Sequence, residues 1–461
     1  MPLLGAYMVP HPPLIIPEVG NGQQKKIQKT IDAYEDVARR IALVEPDTII
    51  VITPHSTLYS DYYHISPGAN ASGSFKDFGA DQVAMTVEYD HGLAESIVSF
   101  CDIDKIPAGF KGERHKALDH ATLVPLYFIG KQYKNFKIVR ISLSGMPYLN
   151  HYQFGKCIKS AIDKSNRKTV VVASGDLSHK LLDDGPYGRT KEGPIFDSQL
   201  TQALRTADFL KLLNFNEDFC DAAAECGLRS FIILSGILDG LAVKPELLSY
   251  EGPFGVGYAV AAFEIIGTDD QRRFDRIYQK NASSRLDGIK QSEDAFVQLA
   301  RQSLEYFIRA NHALKRPKDL PASLIEKRAG VFVSLKKDGR LRGCIGTISP
   351  ITACIADEII QNAISAGTQD FRFERVREDE LDQLIYSVDV LSPSEPIASI
   401  KELDAERYGV IVRYKGRSGL LLPHLEGIDS PDKQVEIALQ KAGIAPDDPY
   451  TMERFEVVRH H

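Results

Sequence analysis

The chain has 461 residues, 43% hydrophobic and 25% charged, with 55 basic against 62 acidic side chains and a net charge of −7. This is a globular composition, too long for one ordinary domain, and its acidic balance argues against a nucleic-acid surface as the main function. No apolar run approaches the roughly 18 residues of a membrane span, the start MPLLGAYMVPHPP lacks a basic secretory region, and six cysteines without a CxxC pair point to a reducing cytoplasm.

The first 268 residues alternate strand and helix patterns. Leu3–Val9 reads as an apolar strand, and 24–44 as a helix with Ile27, Ile31, Tyr34, Ala38 and Ile41 on one face. Thr48–Thr53 is a β-branched run of the kind buried on both sheet faces, and 137–143 and 169–174 repeat it. A helix is expected at 196–213, another at 231–241, and a closing strand at 257–266. Together these predict an α/β sandwich with a mixed, partly parallel sheet.

Residues 269–290 are polar with little apolar periodicity and read as a linker. Beyond it, 295–313 is an amphipathic helix. GVFVSLKK and LRGCIGTI flank Asp338-Gly339, a strong hairpin signal. Helices at 351–366 and 432–442 and strands near 384–391 and 408–414 complete an α+β domain over 291–461. His460 and His461 are set aside as native residues or a tag remnant.

The chemistry concentrates in His11, His55, His179 and Glu225. The three histidines follow predicted strands, and ligands of open α/β sheets bind beyond the carboxyl ends of the strands. His11 is flanked by Pro10, Pro12 and Pro13 and His55 follows Pro54, which stiffens the backbone behind each ring. Two imidazoles and a carboxylate suit non-haem Fe(II) and leave positions open. A second reading stays open at each position: a loop or capping histidine, and a Glu225 paired with Arg229 four residues on. Asp176 either orients His179 or caps its turn. His115 and Lys116 read as a basic rim or as a solvated loop, His64, His91 and His151 as surface or helix-start residues, and Cys226 as a small core residue.

The series VPHPPL, ITPHS, LDHATLVPL, SGDLSH and AAECG resembles the class III extradiol ring-cleavage dioxygenases, the LigB-like superfamily, whose fold the Memo proteins share. The resemblance covers 1–268. It implies His11, His55 and Glu225 as iron ligands, His179 as acid/base and His120 as a second active-site histidine. It further implies a catecholic or aminophenolic substrate and dioxygen, with zinc or another divalent ion as the alternative metal. Memo-type members carry cysteine where the carboxylate ligand stands. Glu225 therefore favours oxygen chemistry, while a register shift of one residue, to Cys226, favours a Memo-like binding or scaffold role without turnover.

Residues 291–461 resemble the AMMECR1 family through LRGCIG at 341–346, with Asp370-Phe371-Arg372-Phe373 and Leu422-Pro423-His424 in support. Phe371 replaces the usual proline. The activity of that family is undefined. The fusion resembles the Memo–AMMECR1 pairing linked with radical-SAM proteins, which implies such a partner and the modification of a macromolecule. A homo-oligomer is left open. Read physically, Cys344 is either a core cysteine or a nucleophile whose pKa Arg342 and His424 lower. Alternatively Arg342, Arg372 and His424 form an anion pocket.

Overall fold

The computed structural model describes residues 2–425 and 427–461. The chain forms two compact units, Met1–Lys280 and Asn281–His461. Among the described residues no helix is long and apolar enough to cross a membrane.

The first unit is built on a six-stranded sheet. Its strands are β1 (Leu3–Val9), β2 (Thr48–Thr53), β3 (Lys137–Ser142), β4 (Thr169–Ser174), β5 (Leu241–Glu251) and β6 (Tyr258–Thr268). Their spatial order is β3-β2-β4-β1-β6-β5. The β3, β2, β4 and β1 strands run parallel, and β6 and β5 add an antiparallel edge. Alternate residues of each buried strand enter opposite cores. Met8, Ile50, Ile52, Val171 and Ala173 join one, packed by the helices His91–Ile103, Tyr148–Ser165 and Leu228–Ile237. Val9, Ile49, Val51, Val170 and Val172 join the other, packed by Gln28–Val44 and His120–Gln132. The result is a sheet between two helical layers, with the parallel strands all ending at one rim.

Several elements depart from the pattern reading. The helix expected at 196–213 is two, Glu192–Thr206 and Phe209–Leu213, broken where Ala207 turns left-handed at φ 50° and Asp208 caps the second. The helix expected at 231–241 is Leu228–Ile237, and Leu241 already opens β5. An additional hairpin, Asn70–Phe75 with Ala80–Glu88, packs Val83, Met85 and Val87 onto the second core. The 269–290 segment is largely helical: Phe274–Ser292 is a single helix, with Phe274 in the first unit's core.

The second unit holds two four-stranded sheets. In the first, Arg340–Gly346, Val331–Lys337, Ile385–Leu391 and Val457–His460 lie in that order. Helices Ala295–Ala310 and Ile355–Thr368 cover one face. In the second, the order is Glu395–Ile397, Thr451–Phe455, Gly409–Tyr414 and Arg417–Leu421, against helix Pro431–Ala442. His460 is structural here: it pairs with Val388 in the first sheet and its ring stacks on Phe296 at 3.8 Å.

Candidate metal centre

The site grows from the carboxyl ends of β1, β2 and β4. Val9 and Ser174 are register partners, so the residues after β1 lie beside the end of β4. The Tyr34 hydroxyl donates to the Pro10 carbonyl and pins the start of the proline-rich turn. His11 is buried; its backbone N–H donates to Asp176 Oδ1 at 2.7 Å and its Nδ1 shares a hydrogen bond with Ser174 Oγ at 3.0 Å. Those two contacts aim Nε2 away from β4.

What Nε2 faces is His55. The two Nε2 atoms stand 3.1 Å apart, with the ring planes at 84°. His55 is set by a relay from its neighbours. Its N–H donates to Thr53 Oγ1 at 3.2 Å, and the Thr53 hydroxyl donates to Asp119 Oδ1 at 2.7 Å. Asp119 in turn caps the helix that begins at His120, accepting from Thr122 N at 3.0 Å. The cap carries His120 onto His55, rings stacked at 4.6 Å.

The third donor is Cys226. Its Sγ lies 3.6 Å from His11 Nε2 and accepts from Asp176 N at 3.3 Å. Two glycines permit this approach. A Cβ on Gly175 would stand 2.2 Å from the Gly227 Cα, so the SGD and ECG segments pass in backbone contact that any side chain would prevent. The donor atoms of His11, His55 and Cys226 all lie within 4.8 Å of one another.

The spacing fits a metal. Nitrogens at about 2.0–2.1 Å and a sulfur at about 2.3 Å from a tetrahedral ion stand roughly 3.3 Å (N–N) and 3.6 Å (N–S) apart. The observed separations are 3.1 and 3.6 Å. Protonation fits at the imidazoles, whereas burial pushes the Cys226 thiol well above its usual pKa, so an ion bound there would have to displace its proton. Burial, and then the neighbouring histidines, hold His11 well below its usual pKa, and burial lowers His55 and brings His120 down to about 4. Neutral imidazoles keep the lone pairs a metal requires.

Glu225 is turned elsewhere. Its carboxylate accepts from Leu228 N at 2.6 Å, capping helix Leu228–Ile237, and it stands outside the His11–His55–Cys226 group. Burial pushes its pKa up to about 7. Its expected partner Arg229 lies instead 3.7 Å from Glu217. The group that could hold an ion thus contains residue 226 and not 225, whose carboxylate is turned to Leu228 N.

His179 sits at the edge of this group. Its N–H donates to Ala223 O at 3.2 Å and its Nδ1 donates to Leu177 O at 3.1 Å. Its ring meets Tyr187 at 5.3 Å, as His120 meets Phe78 at 5.4 Å. Asp176 neither orients His179 nor caps its turn; it holds the His11 backbone and the Cys226 thiol. His64 and His151 are fully buried rather than superficial, whereas His91 starts a helix on the surface. Cys226 was the one-residue register alternative to Glu225, while the supporting Ser174, Thr53 and Asp119 escaped the pattern reading. The paired glycines of SGD and ECG were the available signal.

In the second unit the proposed cluster does not assemble. Arg342 makes a two-pronged pair with Glu380, Nε at 3.1 Å and Nη2 at 3.0 Å. His424 pairs with Glu406, and Arg372 with Asp370 at 2.7 Å. Each cation has its own carboxylate, so no anion pocket forms from the three. Cys344 has its N–H on Asp370 at 2.9 Å and its Sγ beside Ser334 Oγ at 3.2 Å, and burial pushes its pKa up rather than down.

Residues 5–261 match the family model described as the catalytic LigB subunit of aromatic ring-opening dioxygenase, and 297–460 match AMMECR1. A Clostridium acetobutylicum protein is 43% identical over 470 residues, covering 100% of this chain and 99% of its own length. A Thermotoga maritima protein is 46% identical over 170 residues, 36% of this chain and 98% of its own. Among solved structures, an uncharacterized Pyrococcus horikoshii protein covers 36% of this chain and 88% of its own at 31% identity, with a TM-score of 0.34.

Proposed function

From a chain that belongs to the LigB family and carries an AMMECR1 domain after it, we propose a metal-dependent oxidoreductase that uses dioxygen on a catecholic or aminophenolic ring. The observation that carries the reading is the facing pair His11 Nε2 and His55 Nε2, 3.1 Å apart, with Cys226 Sγ 3.6 Å from the first. His11, His55 and Cys226 would hold the ion, iron first. When bound, such an ion supplies Lewis acidity toward ring hydroxyls and a route for electrons to dioxygen.

The remaining residues supply proton handling and walls. His179, its ring oriented by the Leu177 carbonyl, would accept a proton from a ring hydroxyl and return it later. His120, neutral and stacked on His55, faces the same space. Phe78 on His120 and Tyr187 on His179 are 39% and 60% exposed and offer aromatic surfaces for a planar ring.

A second reading is favoured by Cys226 itself. A thiolate softens the donor set and suits zinc or Cu(I) as well as iron, in keeping with a Memo-like metal-carrying module that does not turn over. One experiment separates them: anaerobic loading with Fe(II), Zn(II) or Cu(I), followed by oxygen uptake against catechols and aminophenols. Iron-dependent uptake that disappears in His179→Ala supports the oxidoreductase. Stoichiometric metal without uptake for any ring supports the second reading, and a wild type that holds no metal defeats both.

A further inference from the structure

A groove of about 1010 Å³ runs along the hairpin strand Ala80–Glu88. One wall is the strand itself, every residue from Gln82 to Glu88. The other is helix His120–Gln132, through Leu126, Tyr127, Gly130 and Lys131, with Phe136 beyond it.

The strand has a partner on one edge only. It pairs with Asn70–Phe75 in an antiparallel ladder that sets Ser72 opposite Thr86. Ser72 O accepts from Leu118 N at 3.1 Å and so points away from Thr86, whereas Tyr89 N donates to Ala69 O at 2.8 Å. Antiparallel pairs alternate between hydrogen-bonded and non-bonded. Met85, Val87 and Tyr89 therefore turn their backbone groups into the hairpin, and Ala84, Thr86 and Glu88 turn theirs to the opposite edge. Among the described residues those three N–H and three C=O groups have no partner. One step further on, the same edge is in use: Asp90 N donates to Ile138 O of β3 at 2.8 Å. Free edges are usually blunted by charge or proline. The run Gln82–Val87, QVAMTV, has neither.

The walls define what fits. Val83, Met85 and Val87 are half-buried and, with Leu126, Tyr127 and Phe136, give an apolar lining to alternate side chains of an added strand. A second copy pairing through its own Ala80–Glu88 would bring its Asn70–Phe75 strand along on the far edge, where the helix wall stands. A single extended segment has no such encumbrance. Four bases and three acids line the groove. Lys137 is matched by Glu88 at 3.3 Å and Arg167 by Asp90 at 3.1 Å, and Asp47 accepts from Lys168 N at 2.9 Å. Left over are Lys134 and Lys131, the latter 3.9 Å from the Tyr127 ring centre, against Glu18 alone. This local positive excess stands on a chain of net charge −7 and favours an acidic occupant.

We propose that the groove between strand Ala80–Glu88 and helix His120–Gln132 receives an extended, acidic peptide segment of a partner protein, added as a strand through Ala84, Thr86 and Glu88. The inference is independent of the chemistry proposed for the metal centre.

The test is fluorescence anisotropy on the full chain with three fluorescein-labelled, amidated octapeptides: DVTVTVTD, KVTVTVTK, and the acidic peptide N-methylated at alternate residues. Ala84→Pro removes one outward N–H at a strand edge, where proline is tolerated. Gly130→Leu fills the groove, since a Cβ at Gly130 meets nothing within 4 Å. At low salt the acidic peptide binds about tenfold tighter than the basic one, and the margin shrinks as salt rises. N-methylation, Ala84→Pro and Gly130→Leu each weaken it about tenfold.

An acidic peptide that binds no tighter than the basic one, or that binds both variants as it binds the wild type, would overturn the proposal. So would a dimer in sedimentation velocity that Ala84→Pro dissociates, because the occupant would then be a second copy. Should either variant lose stability in a urea titration, Lys131→Glu/Lys134→Glu decides, since it alters only exposed side chains. It turns the preference towards the basic peptide, and an unchanged preference sinks the groove as a peptide site.

Discussion

Cys226 Sγ lies 3.6 Å from His11 Nε2, while the carboxylate one residue earlier is spent on Leu228 N at 2.6 Å. The two adjacent side chains therefore have separate tasks. Cys226→Ala removes a donor, and metal affinity measured by competition with a chelator is expected to fall by at least about 100-fold. Glu225→Gln keeps the donor set and weakens a charge-assisted cap. It should leave metal stoichiometry intact and lower stability by about 1–2 kcal/mol in a urea titration. The opposite ranking of the two variants would return Glu225 to the metal.

Support behind the ligands should matter nearly as much. Ser174 Oγ meets His11 Nδ1 at 3.0 Å, and Asp176 holds both the His11 backbone and the Cys226 thiol. Groups that orient a ligand usually contribute about 10–100-fold in affinity. Ser174→Ala and Asp176→Ala, which remove the side-chain contacts to His11, are expected to weaken metal binding within that range while the circular dichroism spectrum stays that of the wild type. Affinity unchanged in both would show that His11 needs no such orientation.

How much of this was legible depends on where the determining contacts lie. The strands β2 and β4 announce themselves because a parallel sheet buried on both faces demands unbroken β-branched runs, and TIIVIT and TVVVAS are that. The hairpin over 70–88 and the edge strand β5 carry mixed, half-exposed patterns, with Pro245 inside β5, and local periodicity is too weak to mark them. His11 and His55 stand out because each follows a strand and is stiffened by proline. The choice between Glu225 and Cys226 is not local. It is decided by the backbone contact of Gly175 with Gly227 and by the cap of the following helix. For Arg342 and His424 the deciding partners, Glu380 and Glu406, lie 38 and 18 residues away, and no motif reveals them.

That arrangement of Arg342 gives a prediction for the second unit. Hydrogen bonds from Arg342, opposed in part by burial, hold Glu380 down to about 2. Arg342→Ala leaves the buried Glu380 carboxylate with Lys337 at 3.3 Å and the Arg377 backbone N–H at 3.0 Å but without its two-pronged partner, and the loss is expected to reach about 3 kcal/mol. The contribution is present above the ordinary carboxylate range and disappears as pH falls towards about 2. The alkylation rate of Cys344 by iodoacetamide in the folded state should not change, since Arg342 is committed to Glu380. A rate that drops in the variant would restore Arg342 to the thiol.

The buried His64 makes the first unit sensitive to mild acid. Its side chain is 0% exposed, and neither ring nitrogen has a hydrogen-bond partner among the described residues. Burial, reinforced by the charge of Arg140, brings its pKa down to about 4. In the unfolded chain the same ring titrates near 6.5. Between about 4 and 6.5 the unfolded state thus binds more protons than the folded one, so stability rises with pH across that window. It is complete above 6.5 and erodes as pH falls, by on the order of 3 kcal/mol for this one ring. Urea midpoints of the wild type at pH 8 and pH 5 should differ accordingly. His64→Phe, close in shape and unable to titrate, should narrow that difference by about one histidine's share. The difference will not vanish, because the buried His151 is held down to about 4 in the same way. A pH dependence identical in wild type and His64→Phe would mean that His64 is solvated or hydrogen-bonded in solution and that its burial carries no proton linkage.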